Sequence, residues 1–519
     1  MLRTTWIAIL LGFWSSLYLV DTFIKSSKRC GQQYVEAQER YGIQVSIGQV
    51  RWYTTCFNRL FLRLGQWKPR LIQMWFRMGA FVGVLLMFAS VGLLVSTLVE
   101  ASSKESPEQV LTPVMPGVNL PLRQITYFFS VLLISAVWHE LGHAIAAVRE
   151  QVRVNGFGMF IMAIYPGAFV DLHSDHLQAI SPARQLRIYC AGIWHNLVLV
   201  ALGIFVFYAL PYLLSPLYIT GAGVIITDVL KYSPVSGHRG LSAGSHVTSI
   251  NGCPVYDTSD WSKCLGSAVF YPQPGFCMQL GKVQQYSKDV PLYRGYGGQI
   301  ECCRNDSVSE LCFFYEMGSE VGAPQKHYAC LEARPLTDLP RCFKGSDCVQ
   351  TRKTACLQPS LDNSSRLLRV YLTTGKPVLY VGDTYLFGYS LSVTNYIPRY
   401  RFLPLSLPDV IELFCKYLIS FSGALAILNA IPCYALDGQY ILKAFMEHTL
   451  ASRISSTSDR NLIYSLILLF GTLLLGANLV LALFALVFRQ FPCKPDFSVG
   501  AGMTVQDGEE SPIMILTRN

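Results

Sequence analysis

The sequence predicts a polytopic α-helical membrane protein of about six spans with a re-entrant hairpin, carrying a disulfide-rich α/β domain between spans four and five. Three observations support that class. Charged residues make up 14% of the 519, against about 25% in ordinary soluble domains, while 51% are hydrophobic and the mean hydropathy is +0.34. Six apolar runs are long enough for a helix to cross about 30 Å of hydrocarbon, which takes roughly 20 residues. Ten of the sixteen cysteines fall between Cys253 and Cys356, the density of an oxidised, disulfide-held domain. The net charge of +9 is spread between apolar runs without a basic block or RNA-binding signature. The bilayer is therefore the expected partner, and nucleic acid is not.

The spans are read near Trp6 to Ile24, Met74 to Val99, Ile125 to Val148, Ile188 to Leu214, Val410 to Ile431 and Leu462 to Val487. They divide the chain into N-terminal spans with a basic loop (1–124), a core (125–214), a disulfide-rich domain (215–405), C-terminal core spans (406–488) and a polar tail (489–519). The first span lacks a strong basic start and a clear small-residue cleavage site, so it reads as a retained anchor rather than a signal peptide. Phe157 to Val170 is apolar but interrupted by Gly158, Pro166 and Gly167, too short to span, and reads as a re-entrant or interfacial hairpin. Between spans one and two, Lys25, Lys28, Arg29, Arg40, Arg51, Arg59, Arg63, Lys68 and Arg70 outnumber Asp21, Glu36 and Glu39, which by the positive-inside rule puts this loop in the cytosol. Counting forward places residues 215–400 in the lumen. The clustered cysteines agree, as do the sequons Asn305-Asp306-Ser307 and Asn363-Ser364-Ser365, which make Asn305 and Asn363 candidate glycosylation sites.

Inside the third span lies His139-Glu140-Leu141-Gly142-His143, an H-E-x-x-H pattern. On a helix the two histidines lie about 40° apart on one face, so both imidazoles can hold one metal while Glu140 holds a water beside it. Zinc suits two histidines and a carboxylate, with a fourth position left for water. Three ionisable side chains in an apolar helix are costly to insert and mark a functional site; the bland alternative is a buried polar contact between helices. A third protein ligand is needed, and Asp171, His173, His176, His195, His448 and Asp437 are the candidates. Asp437 is favoured because Pro432 interrupts the preceding helix and Gly438 permits a turn that brings a carboxylate back to membrane depth; the alternative is a simple helix cap. In Gly192-Ile193-Trp194-His195-Asn196, Asn196 serves either as a helix contact or to polarise a scissile carbonyl.

These residues, with Tyr165 to Asp171, the cysteine-rich segment and Leu436-Asp437-Gly438, resemble the site-2 proteases, intramembrane zinc metalloproteases, over nearly the whole chain. The resemblance implies one zinc per chain on His139, His143 and Asp437, Glu140 activating water, and Asn196 helping to hold the substrate carbonyl. It implies as substrates single-span, membrane-tethered transcription factors, the sterol regulatory element-binding proteins and stress-response relatives, cut in the membrane after a first lumenal cleavage to release the cytosolic part. A Golgi or endoplasmic reticulum location follows from it, with the site near the cytosolic side. Gly221 to Leu265 also looks similar to a PDZ domain, and the alternation from Val247 to Ile250 before Asn251-Gly252 supports a strand and tight turn in its own right. One departure is the absence of a long serine tract in Ala101 to Glu108. Two alternatives stay open: a prenyl-protein type of membrane zinc endopeptidase, which takes a Glu ligand from a downstream helix, and a non-catalytic membrane scaffold, which the presence of Glu140 disfavours.

Overall fold

The structure is a computed structural model that describes residues 2–103, 120–231, 233–236, 240–286, 290–295, 298–303, 309–317, 325–348 and 354–490. Asn305 and the tail beyond Gln490 lie outside them. Two compact units emerge: Met1–Val198 with Phe421–Asn519, and Leu199–Ser420.

Every expected span is a helix: α1 (Leu2–Ser26), α4 (Pro69–Ser103), α5 (Ile125–Arg149), α6 (Pro182–Leu214), α7 (Leu407–Ala430) and α9 (Thr457–Gln490), with α2 (Gly31–Tyr41), α3 (Asn58–Gln66) and α8 (Asp437–Leu450) between them. Six helices among the described residues are long and apolar enough to cross a membrane, as a multi-pass membrane protein requires. In the first unit their packing relies on small residues, because lipid is as apolar as the side chains and close backbone approach must supply the attraction. A Cβ at Gly83 would fall 2.7 Å from Cys190 Sγ, so α4 and α6 meet there in direct contact. Ala80, Cys190, Ile193, Ala426, Ala430 and Ile441 continue this contact into α7 and α8.

The interrupted apolar stretch is a hairpin, as its glycines suggest, but it is half of a larger object. Strands β1 (Ile43–Ser46) and β2 (Gln49–Thr54), from the basic loop that the sequence did not mark as structured, join β3 (Val154–Met162) and β4 (Tyr165–Leu172) in one antiparallel sheet of order β1-β2-β3-β4. Trp52 pairs with Met159, and Gly158 with Phe169. A Cβ at Gly158 would lie 2.3 Å from the Phe169 ring, so the glycine gives that ring room to lie across the strands. β4 ends the sheet, and among the described residues no strand pairs with its outer edge.

The second unit contains two larger sheets. The first is ordered Val378–Asp383, Ser365–Leu372, His246–Ile250, Val224–Val229, Leu391–Thr394, with Cys253–Pro254 paired to His246–Ile250. The expected tight turn is present: Asn251 and Gly252 both have left-handed φ, +49° and +76°, and Ile250 pairs with Cys253. The second sheet, Gln325–Glu332, Glu310–Met317, Thr354–Pro359, Gly275–Gln279 and Arg341–Cys342, lies in the chain between strands of the first. The cysteine-rich segment is therefore inserted into the first module rather than appended to it. Its ten cysteines form five disulfides: 253–264, 277–348, 302–312, 303–330 and 342–356. Asn363 is exposed, as a glycan acceptor must be.

Candidate metal centre

His139 and His143 sit one turn apart on α5, and α8 begins at Asp437 against them. The sequence explains how the carboxylate gets there. α7 stops at Ala430 ahead of Pro432, Ala435 takes a left-handed φ of +68°, and α8 starts without a side-chain cap from Leu436. The reversal therefore falls at Ala435, not at Gly438. Gly438 lies in the first turn of α8, where a Cβ would be 2.0 Å from the Ile431 carbonyl oxygen, so its bare backbone lets α8 press against the end of α7. Asp437 is consequently a ligand-like group at a helix start and not a cap.

The three donor atoms converge. His139 Nε2 and His143 Nε2 lie 2.8 and 3.2 Å from Asp437 Oδ2 and 3.1 Å from each other. Those spacings are close to the ~3.3 Å edge of a tetrahedral zinc site with bonds near 2.0–2.2 Å. The remaining ring nitrogens are engaged away from that point. His143 Nδ1 is 2.8 Å from the Ile188 carbonyl oxygen, and donation of Nδ1–H to it leaves Nε2 free to ligate. His139 Nδ1 is 3.1 Å from the Asn196 amide, which Ser422 Oγ in turn approaches at 3.4 Å. Turned with its oxygen to the ring, that amide accepts from Nδ1–H and fixes the same tautomer. Gly192 completes the fit: a Cβ there would be 2.4 Å from His143 Nε2 and 2.5 Å from His139 Nε2, filling the space an ion needs. The donor set, the tautomers and the space therefore suit a zinc ion.

Glu140 projects toward β4, whose Val170 N–H donates to its Oε2 at 3.0 Å. The other five ligand candidates do not join the trio. His195 packs on Phe76 and Trp138. His173 and His176 stack on one another at 4.3 Å, and His448 is exposed. Asp171 stands beside Tyr53, where burial and the carboxylate push the phenol up. No Glu takes Asp437's place among the described residues, which removes the ground for the prenyl-protein type of site.

The structure also shows a support that the sequence did not reveal. Glu150, just past α5, is buried and accepts from Arg187 Nε at 2.6 Å, Arg187 Nη2 at 2.9 Å and Arg184 Nε at 2.9 Å, while Arg184 Nη2 donates to its carbonyl oxygen. Burial pushes the Glu150 carboxyl up, but the two guanidiniums more than offset this and hold it below the usual carboxylate range. The clamp joins the end of α5 to the start of α6, next to the Ile188 carbonyl that orients His143.

Residues 127–399, more than half of the chain, match peptidase family M50. The match includes His139, Glu140, His143 and Asn196 and ends before Asp437, which the geometry adds. The chain is also 29% identical over 442 residues to the membrane-bound transcription factor site-2 protease homolog of Arabidopsis thaliana, covering 75% of this chain and 84% of that one.

Proposed function

The chain belongs to peptidase family M50, a metallopeptidase family, and from that premise we propose that it is an intramembrane zinc protease that hydrolyses a peptide bond within a substrate's transmembrane helix. One observation carries the proposal: two histidines on a membrane-length helix meet Asp437 in one group of three ligand atoms, with a carboxylate, Glu140, next in sequence to one of them. Zinc held by His139, His143 and Asp437 would supply Lewis-acid polarisation and acidify water. Glu140 takes the proton of the attacking water and returns it to the leaving amine. Asn196 is engaged at His139 Nδ1, on the side of the ring away from Nε2, so it positions a ligand, and its N–H donors meet a substrate carbonyl only when it leaves that contact.

An intact substrate helix hides its carbonyls in hydrogen bonds, so it must open locally. The free edge of β4, with Val170 at Glu140, offers backbone groups to an opened, extended segment by strand addition. The name of the Arabidopsis relative supports membrane-bound transcription factors as the substrate class. Within it we place sterol regulatory element-binding proteins and stress-response factors, cut in Golgi membranes after a first lumenal cleavage, with the cytosolic part released. The test is cleavage of a defined single-span helix by purified wild type and Glu140→Gln, with zinc measured on both. The variant is expected to keep its zinc and cleave about 10²- to 10⁴-fold more slowly. Equal cleavage by the two proteins refutes the mechanism, and a zinc-loaded wild type that leaves the helix intact points to the scaffold.

A further inference from the structure

Away from the metal, a cleft of about 260 Å³ opens where α3, α4, α5 and α6 meet. Leu64, Trp67, Leu71, Ile72, Trp75 and Phe76 form its walls, Ile145 contributes from α5, and His195 is the one imidazole among them. The helix leading into it is amphipathic. Phe61 and Gly65 of α3 face inward, and a Cβ at Gly65 would fall 2.6 Å from Val148 Cγ1, so α3 lies directly on the helix that carries His139 and His143. Leu60, Leu62 and Trp67 stay 46%, 48% and 60% exposed, and Arg59, Arg63, Lys68 and Arg70 are exposed beside them.

Depth follows from the residues at the end of the span. The span that starts at Pro69 has 33 residues, about 50 Å of helix, more than enough for the roughly 30 Å hydrocarbon layer. Trp67 and Lys68, immediately before it, are an aromatic and a cation of the kind that sits at the headgroups. The Lys68 backbone has φ +37°, a left-handed conformation that a lysine adopts at a cost and that tends to persist at functional positions. The turn sets its ammonium 5.1 Å over the ring of Trp67, itself a wall of the cleft. An apolar slot with a fixed cation at its mouth, at headgroup depth, matches one chemistry: acyl chain inside, phosphate outside.

The geometry points to an anionic glycerophospholipid site in this cleft, one acyl chain seated between Trp67, Ile72 and Phe76 and the headgroup held at Lys68 with Arg63 and Arg70 near the mouth. The site adjoins the metal centre through two bonds. The Trp138 indole N–H donates to the His195 carbonyl at 3.0 Å, and the next residue, Asn196, meets His139 at 3.1 Å. A seated chain thus bears on the turn of α6 that positions a ligand. Nothing in the lipid site itself depends on the metal or on catalysis.

The test is native mass spectrometry of the full chain released from bilayers holding equal amounts of dioleoyl phosphatidylserine and dioleoyl phosphatidylcholine, with metal content as a check on folding. Wild type is expected to retain the serine lipid preferentially. Lys68→Gln should cut that preference about fivefold, the factor given by ~1 kcal/mol per basic residue at a membrane surface. Ile72→Trp, which fills the slot and keeps every charge, should lower retention of both lipids. Equal retention of the two lipids by wild type, or a preference unchanged in Lys68→Gln, overturns the headgroup assignment. Displacement by soluble glycerophosphoserine as effective as by the intact lipid overturns the acyl slot.

Discussion

The two units of this chain are held together by different means, and the difference separates a unit built of close-packed helices around the candidate metal centre from one built of crosslinked sheets. Unit Leu199–Ser420 is stitched by five disulfides across two sheets. The unit with His139 and His143 has none among its described residues: Cys30, Cys56, Cys190 and Cys433 are free thiols. It is fastened by glycines that let helices touch and by a few buried polar bonds, the means available where water is absent. Such fastening has little tolerance for added volume near the metal, whereas crosslinks act chiefly on the unfolded chain.

The sharpest way to break the comparison is to add one methyl group. Gly192→Ala places carbon against both ligand nitrogens, and metal affinity is expected to fall by at least the roughly 10- to 100-fold seen when groups supporting a metal site are lost. Zinc content and cleavage rate should drop together; a variant with full zinc means that α6 yields and the space argument is wrong. In the other unit the largest effect should come from the longest loop. Replacing Cys277 and Cys348, 71 residues apart, by serine is expected to cost ~4 kcal/mol, against ~3 kcal/mol for Cys302 and Cys312, 10 apart. Both double variants should keep their zinc. Denaturant melts and metal analysis on the same samples read the two units separately.

The spans were legible because a helix in lipid must be apolar for its whole length, and predicted and observed ends differ by at most a turn or two. The candidate ligand pair on α5 was legible because both histidines fall on one helix at one spacing. Asp437 was not fixed by spacing, since its approach depends on Ala435 taking a left-handed turn, on the Ala430 and Ile431 carbonyls accommodating Gly438, and on that turn packing against His139, 298 residues earlier. β1 and β2 were missed although Ile43-Gln44-Val45-Ser46 alternates and Gly48 turns the chain between them: two strands of four and six residues in a basic loop give a weak signal, and the strand that extends them into a sheet, β3, lies about 110 residues away from β2. Cysteine content announced a disulfide domain but not its pairing, which only the folded strands decide.

Glu150 provides a finer test within the membrane unit. Its folded pKa is depressed, so its contribution to stability is fully present above the unfolded carboxylate value of about 4.3 and fades as pH falls through the lower folded one. Glu150→Gln should lose ~2 kcal/mol at pH 7, the scale of charge-assisted bonds to a largely buried group. The gap between wild type and variant in thermal melts should narrow below about pH 4. A gap that does not change with pH would assign the cost to packing rather than to the guanidiniums of Arg184 and Arg187.

The smallest expected effect lies deeper, where α4 meets α9. Thr97 Oγ1 donates to Asn478 Oδ1, and Asn478 Nδ2 reaches the Leu94 carbonyl at 3.2 Å and its own helix's Leu474 carbonyl at 2.9 Å. None of these is worth a full vacuum hydrogen bond even in hydrocarbon: measured bonds between membrane helices average only ~0.6 kcal/mol because the separated helices find other partners. Thr97→Val keeps the shape and removes one donor. It should therefore cost ~0.6 kcal/mol, below any of the disulfides, and leave zinc content unchanged. A loss of several kcal/mol would mean that this polar contact, rather than the small-residue contacts of α4 with α6, holds the membrane unit together.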